Sequence, residues 1–291
     1  MQSKKEGPDM ELSAESIVRK PSVMIQSQRG LFQLDLGSIW QFREMLYFLV
    51  WRDVLLRFKQ TAVGVAWVVL QPLITMIIFT LIFSKLAKLP SDGIPYPVFA
   101  FTALLPWFFF SQALMRSSSS VVQSSNLITK IYFPRLLIPI AASIAPIVDL
   151  VFSFLFLLVL MGWYKITPTW GIVALPLFIA LAIITALAVG LWSSAINVKY
   201  RDVGNIIPFL IQVWMYASPV VYSTSMIPEK WRLLYSLNPM VGVIGGFRWA
   251  LLGRNSPDFM QMAVSASVVL VLLVGGIVYF KKMEQTFADV I

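Results

Sequence analysis

Uncharged stretches alternate with short polar segments along most of this 291-residue chain. A helix needs about 20 mostly apolar residues to cross the roughly 30 Å hydrocarbon core of a bilayer. Five runs contain no Asp, Glu, Lys or Arg, and a sixth contains only Asp149. Each run is long enough for one crossing, which predicts six membrane-spanning helices. We place them near residues 62–83, 95–115, 137–161, 172–196, 205–224 and 260–280.

The runs predict an all-α membrane protein rather than a β-barrel. A barrel strand needs only about 10 residues of alternating polarity, whereas these runs are long and continuously apolar. A helix also satisfies its backbone hydrogen bonds within a single crossing. We therefore expect a transmembrane domain at 60–284, with an interface helix at 38–59 before it. The remaining residues are expected to be a flexible cytosolic tail at 1–37 and a second cytosolic tail at 285–291.

The distribution of Lys and Arg predicts the orientation of the six helices. Cytoplasmic connections carry an excess of these residues. Segments on the side of the two termini contain sixteen of the 23 Lys and Arg residues, and the opposite connections contain seven. Both termini are therefore expected on the cytoplasmic face.

Residues 38–59 are expected to form a helix outside the hydrocarbon core. Ser38 is a suitable N-cap residue, and the uncharged centre at 45–51 is too short to span. The charged residues do not form one clean stripe on a helical wheel. The segment is either an amphipathic helix at the cytosolic interface, with its aromatic residues in lipid, or a cytosolic helix packed on the bundle.

Two other connections are long enough to form structure of their own. The polar 116–135 connection is either a solvated loop or a short helix that docks on a cytosolic subunit. The external 225–258 connection contains an apolar piece, 239–252, that is too short to cross the membrane. This piece resembles part of a re-entrant or interfacial helix pair that forms an outer mouth.

The composition excludes several classes of protein. With 58% hydrophobic and 13% charged residues, the chain is not an ordinary soluble domain. The absence of Cys and His excludes disulfides, Cys nucleophiles, His bases and His/Cys zinc sites. No P-loop sequence occurs, so any ATP must be bound by another polypeptide. The net charge of +9 suits an anionic membrane surface or ligand, and we expect no nucleic-acid partner.

Asp149 lies near the middle of the predicted third span, where an ionised carboxylate is costly. We interpret it as a structural, hydrogen-bonded residue close to Pro139 and Pro146. The alternative is a role in proton coupling, for which the sequence offers no basic partner in another span.

Small residues recur every fourth position in the predicted fourth span. This spacing places them on one helical face, where they allow a neighbouring helix to approach closely. We therefore predict a packing face formed by Ala182, Ala186, Gly190 and Ser194.

Aromatic and amide side chains share helical faces in the first and fifth spans. Such faces could let a sugar chain slide, because aromatic rings stack on the apolar faces of sugars while amides bond their hydroxyls. Ordinary helix packing is the alternative. The residues are Trp67, Gln71 and Thr75 in the first span and Phe209, Gln212 and Tyr216 in the fifth.

Short motifs occur in a fixed order between about residues 55 and 250. They are Arg57-Phe58-Lys59-Gln60-Thr61, Gly64-Val65-Ala66-Trp67, Gln71-Pro72-Leu73, Tyr132-Phe133-Pro134-Arg135, Asn197-Val198-Lys199-Tyr200-Arg201-Asp202, Ser218-Pro219-Val220-Val221-Tyr222, Ile227-Pro228 and Asn238-Pro239. As a set, they resemble the permease subunits of type-2 ABC exporters of polysaccharides. The similarity is greatest to O-antigen/lipopolysaccharide and capsule export permeases, with teichoic acid permeases as relatives.

The resemblance implies a homodimer bound to two copies of a separate cytosolic ABC ATPase. That partner would hold ATP and Mg, and this chain would carry no cofactor. The first and fifth spans would line a channel through Trp67, Gln71, Thr75, Phe209, Gln212, Tyr216 and Tyr222. Contacts with the ATPase would come from Arg43, Arg52, Arg57, Ser119, Gln123 and Asn126, and an external gate from Trp231, Tyr235 and Arg248.

The predicted function is a non-enzymatic subunit that exports a lipid-linked, O-antigen-like polysaccharide across the bacterial inner membrane. Capsular polysaccharide, teichoic acid, or a small lipid or drug are alternative substrates. A proton-coupled carrier using Asp149 is a different alternative. A membrane glycosyltransferase is disfavoured, because it needs paired acids and the external Asp92, Glu229 and Asp258 are scattered in the sequence.

Overall fold

A computed structural model of the chain describes residues 36–59, 64–253 and 258–287. These residues form helices and connections, without a strand among them. The predicted tail at 1–37 lies outside the described residues except for its last two positions, where the first helix begins. The α-helices are α1 (Leu36–Gln41), α2 (Arg43–Phe58), α3 (Gly64–Phe79), α4 (Tyr96–Gln123), α5 (Ser125–Lys130), α6 (Leu137–Ile144), α7 (Ile147–Trp163), α8 (Leu175–Lys199), α9 (Val203–Tyr216), α10 (Glu229–Tyr235), α11 (Pro239–Leu252) and α12 (Phe259–Glu284).

Five helical segments in the described part of the chain are long and apolar enough to cross a membrane. Each overlaps one of the predicted spans, so the prediction of an all-helical membrane protein is confirmed. The segments are Ala66–Leu86, Tyr96–Gln123, Leu137–Trp163, Trp170–Lys199 and Phe259–Glu284.

The remaining predicted span, 205–224, contains a shorter helix than expected. α9 has 14 residues and ends at Tyr216. At 1.5 Å per residue such a helix is only about 21 Å long. Pro219 has no N–H to donate and disfavours the helical conformation of Ser218, so the chain continues in turns.

α4 is the central helix of the bundle, and α8 packs along it. Ala182, Ala186 and Ser194 of α8 are buried. A Cβ atom added to Gly190 would lie 2.7 Å from the Cβ of Ser117 in α4, which shows how closely the two helices approach. The predicted packing face of the fourth span is therefore confirmed.

The predicted interface helix begins slightly earlier than expected and is interrupted at Phe42 between α1 and α2. One face of α2 packs against α6, and Leu49 is buried in the same hydrophobic cluster as Leu137. Another face leaves Tyr47 and Trp51 exposed. The helix therefore packs on the bundle. Its position at the cytosolic interface, with aromatic residues in lipid, stays a prediction.

The 116–135 connection is not a solvated loop: it contains the end of α4 and the short helix α5, whose docking on a cytosolic subunit stays a prediction. α4 continues to Gln123, beyond the predicted end of the second span at 115, and α5 follows almost at once. The serine run is helical, and its hydroxyls are satisfied by carbonyls one turn earlier, as Ser118 bonds Met115 and Ser120 bonds Ser117.

The segment predicted as a helix pair, within 225–258, contains α10 and α11. α11 is mostly buried and packs against α4, α8 and α12. Asn238 caps its first turn by accepting a hydrogen bond from the N–H of Met240.

The two ends of the bundle differ in what they bury. At the α2–α5 end, α2, α5, α6 and the last part of α12 share one hydrophobic cluster. Phe287 of the predicted C-terminal tail is fully buried there against Phe280. At the α10–α11 end, α11 extends the main core around α4.

Candidate functional site

One face of α9 combines amide and aromatic side chains. Asn205, Phe209, Gln212 and Tyr216 follow one another at spacings of four, three and four residues, so they form a stripe along the helix. All four are exposed in the chain, Phe209 by 65% and Tyr216 by 55%. We call these residues the α9 stripe.

A second exposed face occurs on α3. Trp67 is 56% exposed and Gln71 is also exposed, whereas Thr75 is half-buried and donates its hydroxyl hydrogen to the carbonyl of Gln71. The neighbouring face of α3, which includes Val68 and Met76, is buried in the bundle. We call Trp67, Gln71 and Thr75 the α3 stripe.

The amides in these stripes restrict what can cover them. An amide in hydrocarbon without a hydrogen-bond partner costs several kcal/mol. The exposed amides of Gln71, Asn205 and Gln212 therefore need water or protein beside them rather than lipid chains. α4 packs against both α3 and α9, and the single chain leaves the two stripes uncovered. Their role as channel lining stays a prediction.

Tyr222, Tyr235 and Arg248 meet at the α10–α11 end. The hydroxyls of Tyr222 and Tyr235 are 2.9 Å apart, and Arg248 donates to the carbonyl of Tyr222 at 3.2 Å. Burial raises the pKa of Tyr235, and its hydrogen bond to Tyr222 raises it further. Trp231, the third residue predicted for a gate, is 52% exposed, outside this cluster.

The backbone segment 220–223 is fixed by side chains from three other parts of the chain. Tyr96 donates to the carbonyl of Val221 at 2.8 Å, and Arg248 donates to that of Val220 at 3.0 Å. The Ser223 hydroxyl donates to the Asp92 carboxylate. The segment that follows α9 is therefore tied to both α4 and α11.

Asn238 links α9 to α11, a role that the sequence did not predict. Its amide nitrogen donates to the carbonyl of Ala217 and to the hydroxyl of Ser218, and its oxygen accepts from the indole of Trp214. The Asn-Pro pair at the start of an apolar segment is a helix-start signal that pointed to this position.

Asn197 plays a similar part at the opposite end. It donates to the carbonyl of Ser118 and accepts from the N–H of Gly204, which joins α8, α4 and α9. The residue lies in one of the motifs quoted above, but its partners are distant in the sequence.

Asp149 has a partner that the sequence did not reveal. Arg57, near the end of α2, forms an ion pair with its carboxylate at 2.5 Å. Only 22% of the Arg57 side chain and 11% of the Asp149 side chain are exposed. Burial lowers the pKa of the Arg57 guanidinium, and the Asp149 charge opposes that change. The predicted hydrogen-bonded, structural Asp149 is in fact one half of an ion pair.

The other residues predicted to contact an ATPase lie at the α2–α5 end without forming a single cluster. Arg52 pairs with the adjacent Asp53, and Arg43 stacks over Trp40. Gln123 donates to the Ser119 hydroxyl at the end of α4. Asn126 is exposed on α5. Arg57 faces Asp149, which distinguishes it from the other predicted contact residues. The part of the chain that the structure describes contains no group of three or more acidic side chains able to hold a metal.

Residues 44–252 match the family described as ABC-2 type transporter. The chain is 30% identical over 255 residues to the O-antigen export system permease protein RfbA of Myxococcus xanthus, covering 87% of this chain and 97% of that protein. It is 26% identical to RfbA of Klebsiella pneumoniae, over 85% of this chain and 95% of that one. It is also 24% identical to the polysialic acid transport protein KpsM of Escherichia coli, over 80% and 91% of the two chains.

Proposed function

The chain belongs to the ABC-2 type transporter family, and from this premise we propose that it is the permease subunit of an ATP-driven polysaccharide exporter. Its substrate is a lipid-linked, O-antigen-like polymer. The observation that carries the proposal is the pair of exposed amide and aromatic stripes on α3 and α9. These faces are unsuited to lipid, and they offer stacking surfaces and hydrogen bonds that suit a sugar chain.

The names of the relatives support a polymer rather than a small substrate. Two similar permeases are named for O-antigen export, and both are matched over nearly their whole length. The similarity to KpsM makes a capsular polysaccharide the second candidate. A small-lipid or drug exporter has no comparable support among these names.

In the proposed assembly, two copies of this chain form a homodimer whose α3 and α9 stripes enclose a passage. Two copies of a cytosolic ABC ATPase bind ATP and Mg, since this chain contains no P-loop sequence. The homodimer lies in the bacterial inner membrane, with the basic α2–α5 end and both termini in the cytoplasm.

The proposal gives the chain six crossings. The fifth consists of α9 together with the turns at 217–222, which reach the outer side where α9 alone is too short. On that side α10 and α11 act as gate helices, and Tyr222, Tyr235 and Arg248 fasten them to the end of the fifth crossing.

Movement of the ATPases is transmitted through α2 and α5. When ATP draws the two ATPases together, α2 shifts with them, and the Arg57–Asp149 ion pair passes that shift to α7. Moving the two charges apart inside the protein is costly, so a shift of α2 carries α7 with it. This transmission requires two conformations of the bundle that differ in their contacts.

Reconstitution tests this function. We expect vesicles that contain this chain and its ATPase to move a lipid-linked polysaccharide only when ATP is supplied. Vesicles with either subunit alone should move none. Hydrolysis of ATP by this chain alone, or transport by a monomer without the ATPase, would contradict the proposal.

Orientation and the proton-coupled alternative can be tested on the same complex. The natural chain contains no Cys, so single Cys residues near each terminus report which face they occupy. Labelling of the two termini from opposite faces would exclude six crossings. Under the proton-coupled alternative, Asp149→Asn abolishes transport. Under our proposal it lowers stability and weakens ATP-driven transport without abolishing it.

A further inference from the structure

A cleft at the α10–α11 end is separate from the two stripes. It lies between α11, the first turn of α12, the connection before α4 and the residues after Tyr222. Its volume is about 390 Å³, within the range of about 300–1,000 Å³ that is typical of small-ligand sites. The orientation proposed above makes this cleft open to the outer side of the membrane.

The charges that line the cleft balance. Among the described residues that line it, Asp92 and Asp258 are acidic, and Arg232 and Arg248 are basic. These four charges cancel, so the described lining gives no general preference for an anion or a cation. A neutral ligand fits this balance best.

The same lining is rich in groups that bond hydroxyls. Ser225 and Ser223 approach the Asp92 carboxylate, and Gln261 offers an amide beside Asp258. Carboxylate, amide, hydroxyl and guanidinium groups together can serve as both donors and acceptors around a polyhydroxylated molecule.

Arg248 provides a rigid floor for the cleft. Its guanidinium lies over the ring of Phe99 at 3.7 Å and donates to the carbonyls of Val220 and Tyr222. Its Nε has no hydrogen-bond partner among the described residues. Two of its five N–H donors are thus committed to backbone carbonyls, which hold the guanidinium in place.

An aromatic residue completes the lining. Trp249 contributes to the wall, and an edge-to-face contact with Phe178 holds its ring in place. A fixed aromatic wall beside hydroxyl-bonding groups suits a sugar, which has apolar C–H faces and polar edges.

We propose that this cleft binds one or two uncharged sugar units of the exported polymer after they leave the passage. The inference rests on the proposed function for the identity of the polymer. Weak binding of these units at the outer end opposes backward movement of the polymer while the ATPases return to their starting state. Because the cleft belongs to each chain, a homodimer has two such sites.

Gly245 gives direct access to the cleft. It lines the cleft, and a Cβ atom added there would meet nothing within 4 Å. Gly162 also has open space around its Cβ position, but it lies at the end of α7 and outside the cleft. Since the natural chain has no Cys, Gly245→Cys and Gly162→Cys each create a single, specific labelling site.

The test measures labelling of both variants by a membrane-impermeant maleimide added outside, in the idle complex with its ATPase. Galactose, mannose, rhamnose and N-acetylglucosamine are the neutral probes, each also tested as a disaccharide, and glucuronate and inorganic phosphate are the anionic ones. At about ten times Kd a bound sugar should slow labelling at position 245 about tenfold, by mass action. Labelling at position 162 should not change.

Protection at position 245 by at least one neutral probe, without protection by the anions, would support the site. Protection by phosphate alone, no protection by any probe, or no labelling at position 245 would overturn it. The assay requires no transport, so its failure is distinguishable from failure of the proposed function, which the reconstituted vesicles report separately.

Discussion

α8 and α9 are both apolar helices that pack against α4, but they differ in which side chains they bury and which they expose. α8 buries a row of small residues against α4, with Gly190 opposite Ser117. α9 buries Ile207 and Ile211 and leaves its stripe of amides and aromatics exposed. Hydrophobicity alone does not distinguish the two helices. The difference indicates that the α4–α8 contact stabilises the bundle, whereas the α9 stripe is available for function.

The largest effect expected is at the α4–α8 contact. Gly190→Leu places a side chain where even a Cβ would lie 2.3 Å from the Ser117 hydroxyl. Overpacking of this kind costs about 3 kcal/mol. We expect loss of monodisperse protein on size exclusion and a much lower unfolding temperature. Gly162→Leu, at a glycine with open space around it, should behave as the native chain does. Equal stability of the two variants would show that the close α4–α8 contact is not needed for the stability of the bundle.

The next effect concerns the Arg57–Asp149 pair, a buried contact that we also assign to coupling. Asp149→Ala removes the carboxylate from beside a largely buried guanidinium. We expect this to cost about 2 kcal/mol, less than for a fully buried pair, because Arg57 is partly solvated. The unfolding temperature of the purified complex measures this loss.

Combining Arg57→Met with Asp149→Leu sharpens the test of that pair. An apolar replacement of both partners should restore most of the stability, since neither charge is then left buried. Coupling of ATP hydrolysis to transport should remain impaired in the double variant. Restoration of both stability and coupling would show that the ion pair has no role in transmission.

A smaller effect is expected in the stripes, and on transport alone. Tyr216→Ala or Trp67→Ala should slow polymer export about fivefold, corresponding to about 1 kcal/mol of lost stacking. Dimer assembly and unfolding temperature should stay unchanged. Leu210→Ala is the matched control, because Leu210 is 50% exposed on α9 but lies outside the stripe. Export at the native rate in both aromatic variants would contradict the lining role.

The smallest effect is expected on α5. Asn126→Ala removes one exposed polar group from the surface that we assign to the ATPase. We expect an affinity for the ATPase about two- to fivefold weaker, as for one ordinary hydrogen bond at an interface. Titration of the purified permease with the ATPase measures this change, with Thr129→Ala on the same helix as a comparison. A larger loss for the comparison variant would shift the contact surface along α5.

Much of the architecture could be predicted because its signals are local. The apolar runs gave the five long membrane helices, and the four-residue spacing of small side chains gave the packing face of α8. The ends of elements were harder to predict. Polarity suggested that the second span ends at 115, yet α4 continues to Gln123, with its serine hydroxyls bonded to carbonyls of the same helix.

In the candidate site, the sequence predicted which residues share one helix face, but it did not predict contacts between distant segments. Helical spacing grouped Phe209, Gln212 and Tyr216 correctly on one face, because that relation depends only on the period of the helix. The sequence placed Tyr235 and Arg248 in one region, but it could not show that both approach Tyr222. Nor could it show that Asn238 bonds Trp214, Ala217 and Ser218.

The amino-acid sequence by itself determined the helical class of this protein, its residence in a membrane and the faces that its helices present. These properties follow from hydropathy and residue spacing over a few turns. Only the tertiary structure decided that Arg57 pairs with Asp149, and that Asp92 and Arg248 meet in one cleft. The physical reason is that ion pairs and clefts depend on distances between segments far apart in the chain, which packing of the whole bundle sets.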